Sequence, residues 1–494
     1  MRTFRTPFRL ITCLLVALLG ACAQGPEFVT PKTAAPDDWT SWSSSDDSLR
    51  LPMSTAEIMP ADWWRLFRDP VLDGLEERAF KASPDLLTAA LHLAQARVQR
   101  RVANAQSSPE VGLTGGATRQ RLSENNSGSR LLRAIVSPEQ AQPIIELVSE
   151  PFTLYQAGFD FSWELDLWGR VRRSVEAADA DVQRQVALLA YAHLSLASDV
   201  AQNYFELRTL QRQVRLLQED IGAMQQRLDL QQARVRAGVI DHLDFDRQSA
   251  ELAGLRAQLP PLLAQEGASM NRIALLLGER PGAMRAELQA RAEDLPLVMP
   301  DLAAGLPSEL ARRRPDIRVA EARLHIVTAS IGIAEADLYP SIRIGARLGY
   351  ESYIPGAFTE WGSRTWSVAP TLDLPLFDQG RRRSTVQLRE LEQQEAAVAF
   401  QKTVLQAWQE IDDALSGYSA ERQQFQQLGA RLQSAQSAWE ITQARYNGGT
   451  VDYTTVLDAE RGYLQARRDL ASSQGRLSTR FVAVNKAIGN VPSK

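Results

Sequence analysis

Cysteine is almost absent from these 494 residues: Cys13 and Cys22 both fall within the first 22 positions. The rest of the chain therefore has no disulfide framework, thiolate zinc site, iron–sulfur ligation or cysteine nucleophile. Histidine is scarce too, and His92, His193, His242 and His325 lie far apart with no HxxxH pair. Lysine occurs only at Lys32, Lys81, Lys402, Lys486 and Lys494, so the basic residues are nearly all arginine. The 55 Lys plus Arg against 59 Asp plus Glu leave a net charge of −4, and no stretch is basic enough to track a nucleic acid. Past residue 21 there is no run of 18 apolar residues, which excludes a transmembrane helix and leaves a β-barrel open. There is no Gly-x-Ser-x-Gly, no phosphate loop ending in Gly-Lys and no metal-ligand cluster. The expectation is a protein that is not an enzyme, with no catalytic residue, no metal and no cofactor.

What is present begins with an address. Arg2, Arg5 and Arg9 precede the ten apolar-rich residues Leu10 to Leu19, too short a stretch to span a bilayer. Together they read as a secretory signal over residues 1–21. Its loss would remove three positive charges and leave the mature chain near −7. The stretch ends Leu19-Gly20-Ala21-Cys22, which resembles a bacterial lipobox and marks Cys22 as the lipidated first residue. Ala23 follows where inner-membrane lipoproteins carry Asp, which implies sorting to the outer membrane. Acyl chains burying CH₂ groups at about 0.8 kcal/mol each can hold even a soluble body at a membrane. The anchor alone therefore does not tell whether the body spans one.

The chain repeats itself. Pro84-Asp85 opens a helical pattern ending at Pro109, and Pro315-Asp316 opens another ending at Pro340, at an offset of 231. Farther on the offset is 211: Gly169-Arg170 with Gly380-Arg381, Ala233-Arg234 with Ala444-Arg445, Gly238 with Gly449, Asp241 with Asp452, and Gly278 with Gly489. A match of this length marks a duplicated unit. The 20 extra residues of the first copy lie between Pro109 and Gly169, and the polar stretch 121–150 reads as a surface loop. Each copy runs helix, two strands, very long helix, tight turn, returning helix. From Val186 to Leu228 the apolar slots recur every 3.5 residues, the coiled-coil period. At 1.5 Å per residue each long helix would reach roughly 100 Å. Gly238 and Gly448-Gly449 stop these helices, and Asp241 and Asp452 are placed to cap the returning ones. Pro260-Pro261 is expected to interrupt the first returning helix.

Strands are expected near 111–119, 155–167, 342–350 and 365–376. In Tyr155–Leu167 every odd position is apolar and the even ones are Gln156, Gly158, Asp160, Ser162, Glu164 and Asp166. Strands of about ten residues with one apolar face fit a transmembrane barrel; a half-buried sheet in a soluble domain alternates in the same way. Four strands cannot close a barrel, and open edges are forbidden in lipid. Several protomers must share one barrel, or the sheet is not in the membrane. Tyr155, Trp163, Tyr350 and Trp366 are candidates for interfacial aromatic belts.

Several segments resemble the outer membrane factor (TolC-like) family, in particular its efflux lipoprotein (NodT-type) branch. They are the lipobox at Cys22, Asp62-Trp63-Trp64 with Leu66-Phe67, Leu165-Asp166-Leu167-Trp168-Gly169-Arg170, Leu306-Pro307-Ser308 leading to Arg313-Arg314-Pro315-Asp316-Ile317, and Tyr446 through Gly449 with Val456-Leu457-Asp458-Ala459. The resemblance implies a mixed α and β membrane protein: a homotrimer with four transmembrane strands per chain in a shared 12-stranded barrel, and long helices forming a periplasmic coiled-coil barrel. It divides the chain into a signal peptide 1–21, a lipidated linker 22–61, a first repeat 62–282 with long helices 169–278, a linker 283–304 and a second repeat 305–490 with long helices 380–489. It implies the outer-membrane channel of a tripartite system, exporting small molecules received from a periplasmic adaptor and an inner-membrane pump. Alternatives are a duct for type I protein secretion, or a non-channel periplasmic scaffold or adaptor lipoprotein. Partners would include outer-membrane lipid and no nucleic acid. The turns would be adaptor-contacting tips, with Gly238, Val239, Gly448, Gly449 and Thr450. A gate would lie at the same end, with Asp458, Tyr446, Asp452 and Leu457 as candidates. Arg247 stands where the second repeat has Asp458, so an Arg247–Asp458 ion pair is one possible latch.

Overall fold

The computed structural model describes residues 23–31, 46–49, 59–238, 241–290 and 313–492. Cys22, Val239, the Leu306-Pro307-Ser308 segment and most of the 283–304 linker lie outside the described residues. The elements are α1 (Pro70–Ala82), α2 (Pro84–Ala105), β1 (Glu110–Gln120), α3 (Ser127–Ile135), α4 (Pro138–Ser149), β2 (Phe152–Leu165), α5 (Arg170–Arg236), α6 (His242–Leu276), α7 (Arg285–Ala290), α8 (Pro315–Ala336), β3 (Ser341–Ser352), β4 (Arg364–Asp373), α9 (Arg381–Asn447) and α10 (Tyr453–Ala487). The duplication is plain in their lengths. Helices α2 and α8 both have 22 residues, α5 and α9 both 67, and α6 and α10 both 35.

The chain divides into two compact units. The first takes the chain up to Val29 with Arg97–Ala180 and His325–Gln394. Its centre is one antiparallel sheet in the order β1-β2-β3-β4. The register sets Val111 beside Phe161, Phe161 beside Ala346, and Ala346 beside Val368. Since side chains alternate along a strand, this alignment puts the apolar positions of all four strands on one face. Helices α2, α5, α8 and α9 join the sheet at one end, and the β1–β2 and β3–β4 connections lie at the other.

Residues 121–150 are not the loop that their polarity predicts. They form α3 and α4. Asn126 caps α3 by accepting from the Ser129 amide at 2.8 Å, and Pro138 opens α4 at a position where its missing N–H costs nothing. The apolar residues Leu131, Leu132, Ile135, Ile144, Ile145 and Leu147 are spaced for helices, a signal that the polar composition masked.

The second unit takes Thr30–Ala96, Asp181–Leu324 and Glu395–Lys494. Asp62-Trp63-Trp64 leads into a short turn, Trp63–Phe67, whose rings enter the main core. Phe67 lies 4.6 Å from Phe205 and 5.3 Å from Phe481, centroid to centroid. Most coiled-coil slots of α5 behave as the 3.5 period predicts: Leu196, Val200, Tyr204, Leu207, Val214, Leu217, Met224 and Leu228 are buried, while Val186 at the start of the series is exposed. Arg314 of the Arg-Arg-Pro-Asp motif is buried, bonds Asp316 at 2.7 Å and donates to the Ala487 carbonyl at the end of α10. That motif is thus a clasp on the last turn of the returning helix.

Helix α6 runs unbroken through Pro260 and Pro261, contrary to the interruption predicted for it. A proline removes one backbone hydrogen bond and crowds the preceding turn, but packing on both sides can hold the helix together. Leu252 and Leu255 on one side of the prolines and Met270 and Ile273 on the other are buried in the core.

Candidate channel wall, gate and tips

The two faces of the sheet differ sharply. On the apolar face Leu113, Trp366 and Leu372 are 72%, 76% and 64% exposed, and Val111, Phe159, Leu348 and Val368 are exposed as well. A contiguous apolar row of this size marks a membrane or protein contact, since soluble domains rarely leave one bare to water. The opposite face carries ion pairs: Arg347 with Asp160 at 3.7 Å, Arg343 with Glu164 at 3.3 Å, and Arg170 with Glu164 at 2.8 Å. Thr114 donates to Asp160 on the same face. Among the described residues no strand pairs with the outer edge of β1 or of β4. Lipid forbids such edges, so these strands need neighbours from further copies. Tyr155 and Tyr350 sit toward the end of the β1–β2 and β3–β4 connections, and Trp163 toward the helix end.

The Leu-Asp-Leu-Trp-Gly-Arg segment makes the turn from β2 into α5. Asp166 accepts from the Val171 and Arg172 amides at 2.8 and 2.9 Å, satisfying two donors of the first helical turn. Trp168 stacks on Tyr339 at 4.7 Å and donates to the Pro340 carbonyl at 2.8 Å. The segment after Cys22 is held here too. The Gln24 amide donates to the Trp168 carbonyl at 3.0 Å. Arg173, whose side chain is 3% exposed, donates to the Gln24 and Gly25 carbonyls at 3.1 Å each, to Glu27 at 2.9 Å and to Glu176 at 2.7 Å. The backbones at Gly25 and Gly332 are too close for a side chain: a Cβ on Gly332 would lie 2.7 Å from the Gln24 carbonyl oxygen.

At the turns, Gly238 and Gly449 adopt φ of +67° and +69°, a region that favours glycine. The Gly449 and Thr450 amides bond back to the Tyr446 and Arg445 carbonyls at 2.9 and 3.0 Å, closing the end of α9, whose Ala444 carbonyl takes the Gly448 amide. Asp452 accepts from the Thr455 hydroxyl and from the Thr455 amide, the latter at 2.9 Å, and those hydrogen bonds hold its carboxyl below the usual aspartate range. Asp241 stands at the matching cap position, but its side chain makes no capping bond, contrary to the role predicted for it.

The gate candidates fall into two groups. Tyr453, Val456 and Leu457 form one buried cluster with Tyr446 packed on it, the two tyrosine rings 5.3 Å apart. Tyr453 donates to Gln248 of α6 at 2.7 Å, and burial, followed by the nearby Glu460 charge, pushes its phenol up to about 12. Asp458 is 68% exposed and lies 3.6 Å from Arg461 of its own helix. The possible Arg247–Asp458 latch is not formed. Arg247 donates instead to Thr454 at 3.0 Å, one turn earlier on α10, and Asp458 is neutralised one turn later by Arg461. Leu457 is buried and Asp458 exposed because adjacent helical positions face about 100° apart.

A set of bonds between the repeats was missed by the sequence reading. Glu460, 2% exposed, pairs with Arg227 of α5. Asp220, also 2% exposed, lies 3.3 Å from both Arg467 and Arg468. Arg461 reaches Glu251 at 2.6 Å. Burial pushes the Asp220 carboxyl up despite the two arginines that pull it down. One signal was available: at the 211-residue offset Asp220 faces Arg431 in the alignment, as Arg247 faces Asp458, so charge reverses where the repeats differ.

A sheet with one apolar outer face, a polar inner face and two unpaired edges, continued by paired long helices, defines one protomer of an oligomeric outer-membrane channel. The chain belongs to the outer membrane efflux protein family, whose sequence model matches residues 75–279 and 306–490. It is similar to the outer membrane protein OprJ of Pseudomonas aeruginosa, 30% identical over 460 residues covering 92% of this chain and 90% of that one. It is similar as well to the pyoverdine export outer membrane protein OpmQ of Pseudomonas putida, 30% identical over 481 residues covering 97% and 96%. Among solved structures the outer-membrane channel OprN matches with a TM-score of 0.83 at 30% identity, covering 95% of this chain and 99% of that one. The fold is therefore the homotrimeric channel fold, set in the bacterial outer membrane with a periplasmic helical extension. The family is one of channels and not of enzymes.

Proposed function

We propose that this channel is the exit duct of a tripartite pump for small molecules, joined at its helical tips to a periplasmic adaptor and through it to an inner-membrane pump. The observation that carries this reading is the sheet: one apolar face, one ion-paired face and free edges on β1 and β4, at the end of two equal helical hairpins. OpmQ, a relative over nearly the whole length, is described as exporting pyoverdine, a small molecule. Cys22 carries the lipid, in keeping with the tethering of residues 24–27 beside Trp168. The turns at Gly238-Val239 and Gly448-Gly449-Thr450 meet the adaptor. Threefold repetition of the exposed Asp458 would place three carboxylates around the duct, where they would favour cations. Leu457, Tyr446 and Asp452 would support that ring by packing and capping.

The test is twofold. Purified protein in planar bilayers should conduct ions, and Asp458→Ala should raise basal conductance or weaken cation selectivity. In cells, deletion should sensitise the bacterium to organic compounds, and photo-crosslinkers at Val239 or Thr450 should capture an adaptor. A conducting channel whose loss changes only protein secretion would overturn the small-molecule assignment.

A further inference from the structure

The structure assigns a second membrane contact to this chain: a basic, apolar rim at the outer end of the sheet that binds the phosphorylated glycolipid of the outer leaflet. The inference rests on the outer-membrane placement of the channel. Helices α2, α5, α8 and α9 all join the sheet at one end, so the β1–β2 and β3–β4 connections face the cell exterior. The lipid-facing parity of β1 runs through Val111, Leu113 and Ala117 and ends on Arg119, the last residue of that face. The same parity on β4 runs from Leu372 through Val368 and Trp366 to Arg364 at its outer end. Both edge strands therefore place an exposed guanidinium on the lipid side just where headgroups begin.

The insertion peculiar to the first repeat continues this surface. Helix α3 carries Arg130 and Arg133 and no acidic residue. Its Leu131 and Ile135 are 61% and 73% exposed. A short helix with guanidinium groups beside bare aliphatic side chains is built for an anionic lipid interface: the alkyl groups enter the acyl layer and the cations meet the phosphates. The four acids of this insertion lie off α3, and one of them, Glu150, follows α4 just before β2. Glu124 pairs with Arg121 at 2.9 Å, and Glu139 and Glu146 belong to α4. Water is a poor partner for such a surface. A phosphorylated leaflet matches it in both charge and polarity, and is continuous with the lipid already required by the strands below.

The test uses the trimer with Cys13→Ala and Cys22→Ser, which leaves no native cysteine. An environment-sensitive fluorophore is attached at Leu131→Cys or Ile135→Cys. It is read in detergent and in vesicles of phosphatidylcholine alone, with bisphosphorylated lipid A, or with dephosphorylated lipid A. The expected result is a blue shift with bisphosphorylated lipid A, at least halved with the dephosphorylated form and at least halved by Arg130→Ala with Arg133→Ala. A probe in water under every condition would overturn the inference. So would a full shift already present in detergent, since a second copy would then cover the helix, or a shift indifferent to the phosphates. Conductance measured on the same samples separates the outcomes. A conducting channel with a water-exposed probe sinks this rim alone, whereas failure to insert sinks the channel reading.

Discussion

Replacing Arg227 with alanine should loosen the joint between the repeats more than any other single arginine substitution near the tips. Glu460 is 2% exposed and Arg227 is its ion-pair partner among the described residues. Removing one member of a buried pair leaves an uncompensated charge and costs about 3–5 kcal/mol. If that cost falls on the state in which α5 and α10 are packed together, the packed population drops by a factor of about 10² to 4 × 10³, at tenfold per 1.4 kcal/mol. The companion variant Arg461→Ala breaks a pair whose members are 52% and 26% exposed, and should cost only about 0–1 kcal/mol. Single-channel recordings should show frequent spontaneous opening in Arg227→Ala and near-resting behaviour in Arg461→Ala. Adding Glu460→Gln to Arg227→Ala removes the stranded charge and should restore most of the resting state. Wild-type opening and wild-type thermal stability in Arg227→Ala would refute the reasoning. An Arg461→Ala effect as large as that of Arg227→Ala would refute the use of burial to rank the pairs.

Further outcomes follow from other parts of the molecule. Glu76 is fully buried, with neither carboxylate oxygen hydrogen-bonded among the described residues, and burial, reinforced by Asp73, raises its pKa well above 4.5. The folded state thus holds this proton more tightly than the unfolded chain, so its contribution to stability is full below about pH 4.5 and is lost as pH climbs through the raised value. Glu76→Gln should flatten that dependence and raise the melting temperature at neutral pH; an unchanged slope between pH 4.5 and 8 would contradict the assignment. Gly475→Ala drives a Cβ into Thr209 of α5, an overpacking expected to cost about 1–3 kcal/mol, partly relieved by Thr209→Ala and measurable by thermal denaturation. Val368→Arg places a charge on the lipid face midway along β4 and should cost about 2–4 kcal/mol, read as reduced yield of heat-resistant trimers, whereas Leu372→Arg near the helix end should cost about 0–1 kcal/mol. Gly332→Val should expel residues 24–27 and expose the Gln24 amide to rapid hydrogen exchange, while Gly356→Val, which meets nothing within 4 Å, should not.

The large features were legible because each has a period. Alternation over Tyr155–Leu167 named the lipid face of β2, and the 3.5-residue spacing named the buried side of α5 from Leu196 to Leu228, though not at its first slot, the exposed Val186. The 211-residue offset found the turn at Gly449 from the one at Gly238. What failed was either masked by composition or set by contacts distant in sequence. Pro260-Pro261 looked like a stop because the rule for proline is local, whereas the helix is held by Leu252, Leu255, Met270 and Ile273 from both sides. The 121–150 helices were hidden by polar composition. The Arg247–Asp458 latch failed by one helical turn, a shift that alignment of two repeats cannot see. Partners such as Arg227 and Glu460 lie 233 residues apart, and only packing brings them together.

The equality of the two repeats has a mechanical side. Helices of 67 and 35 residues occur twice, yet their charges diverge freely between the copies. Length therefore behaves as a gauge and side-chain charge as a label. Seven residues added to α5 alone would throw that hairpin's turn out of step by about 10 Å. The same insertion would have to appear in α6, α9 and α10 for the turns to stay level. A chain of this design can change what its hairpins stick to by point substitution, but can change its reach only by four concerted insertions.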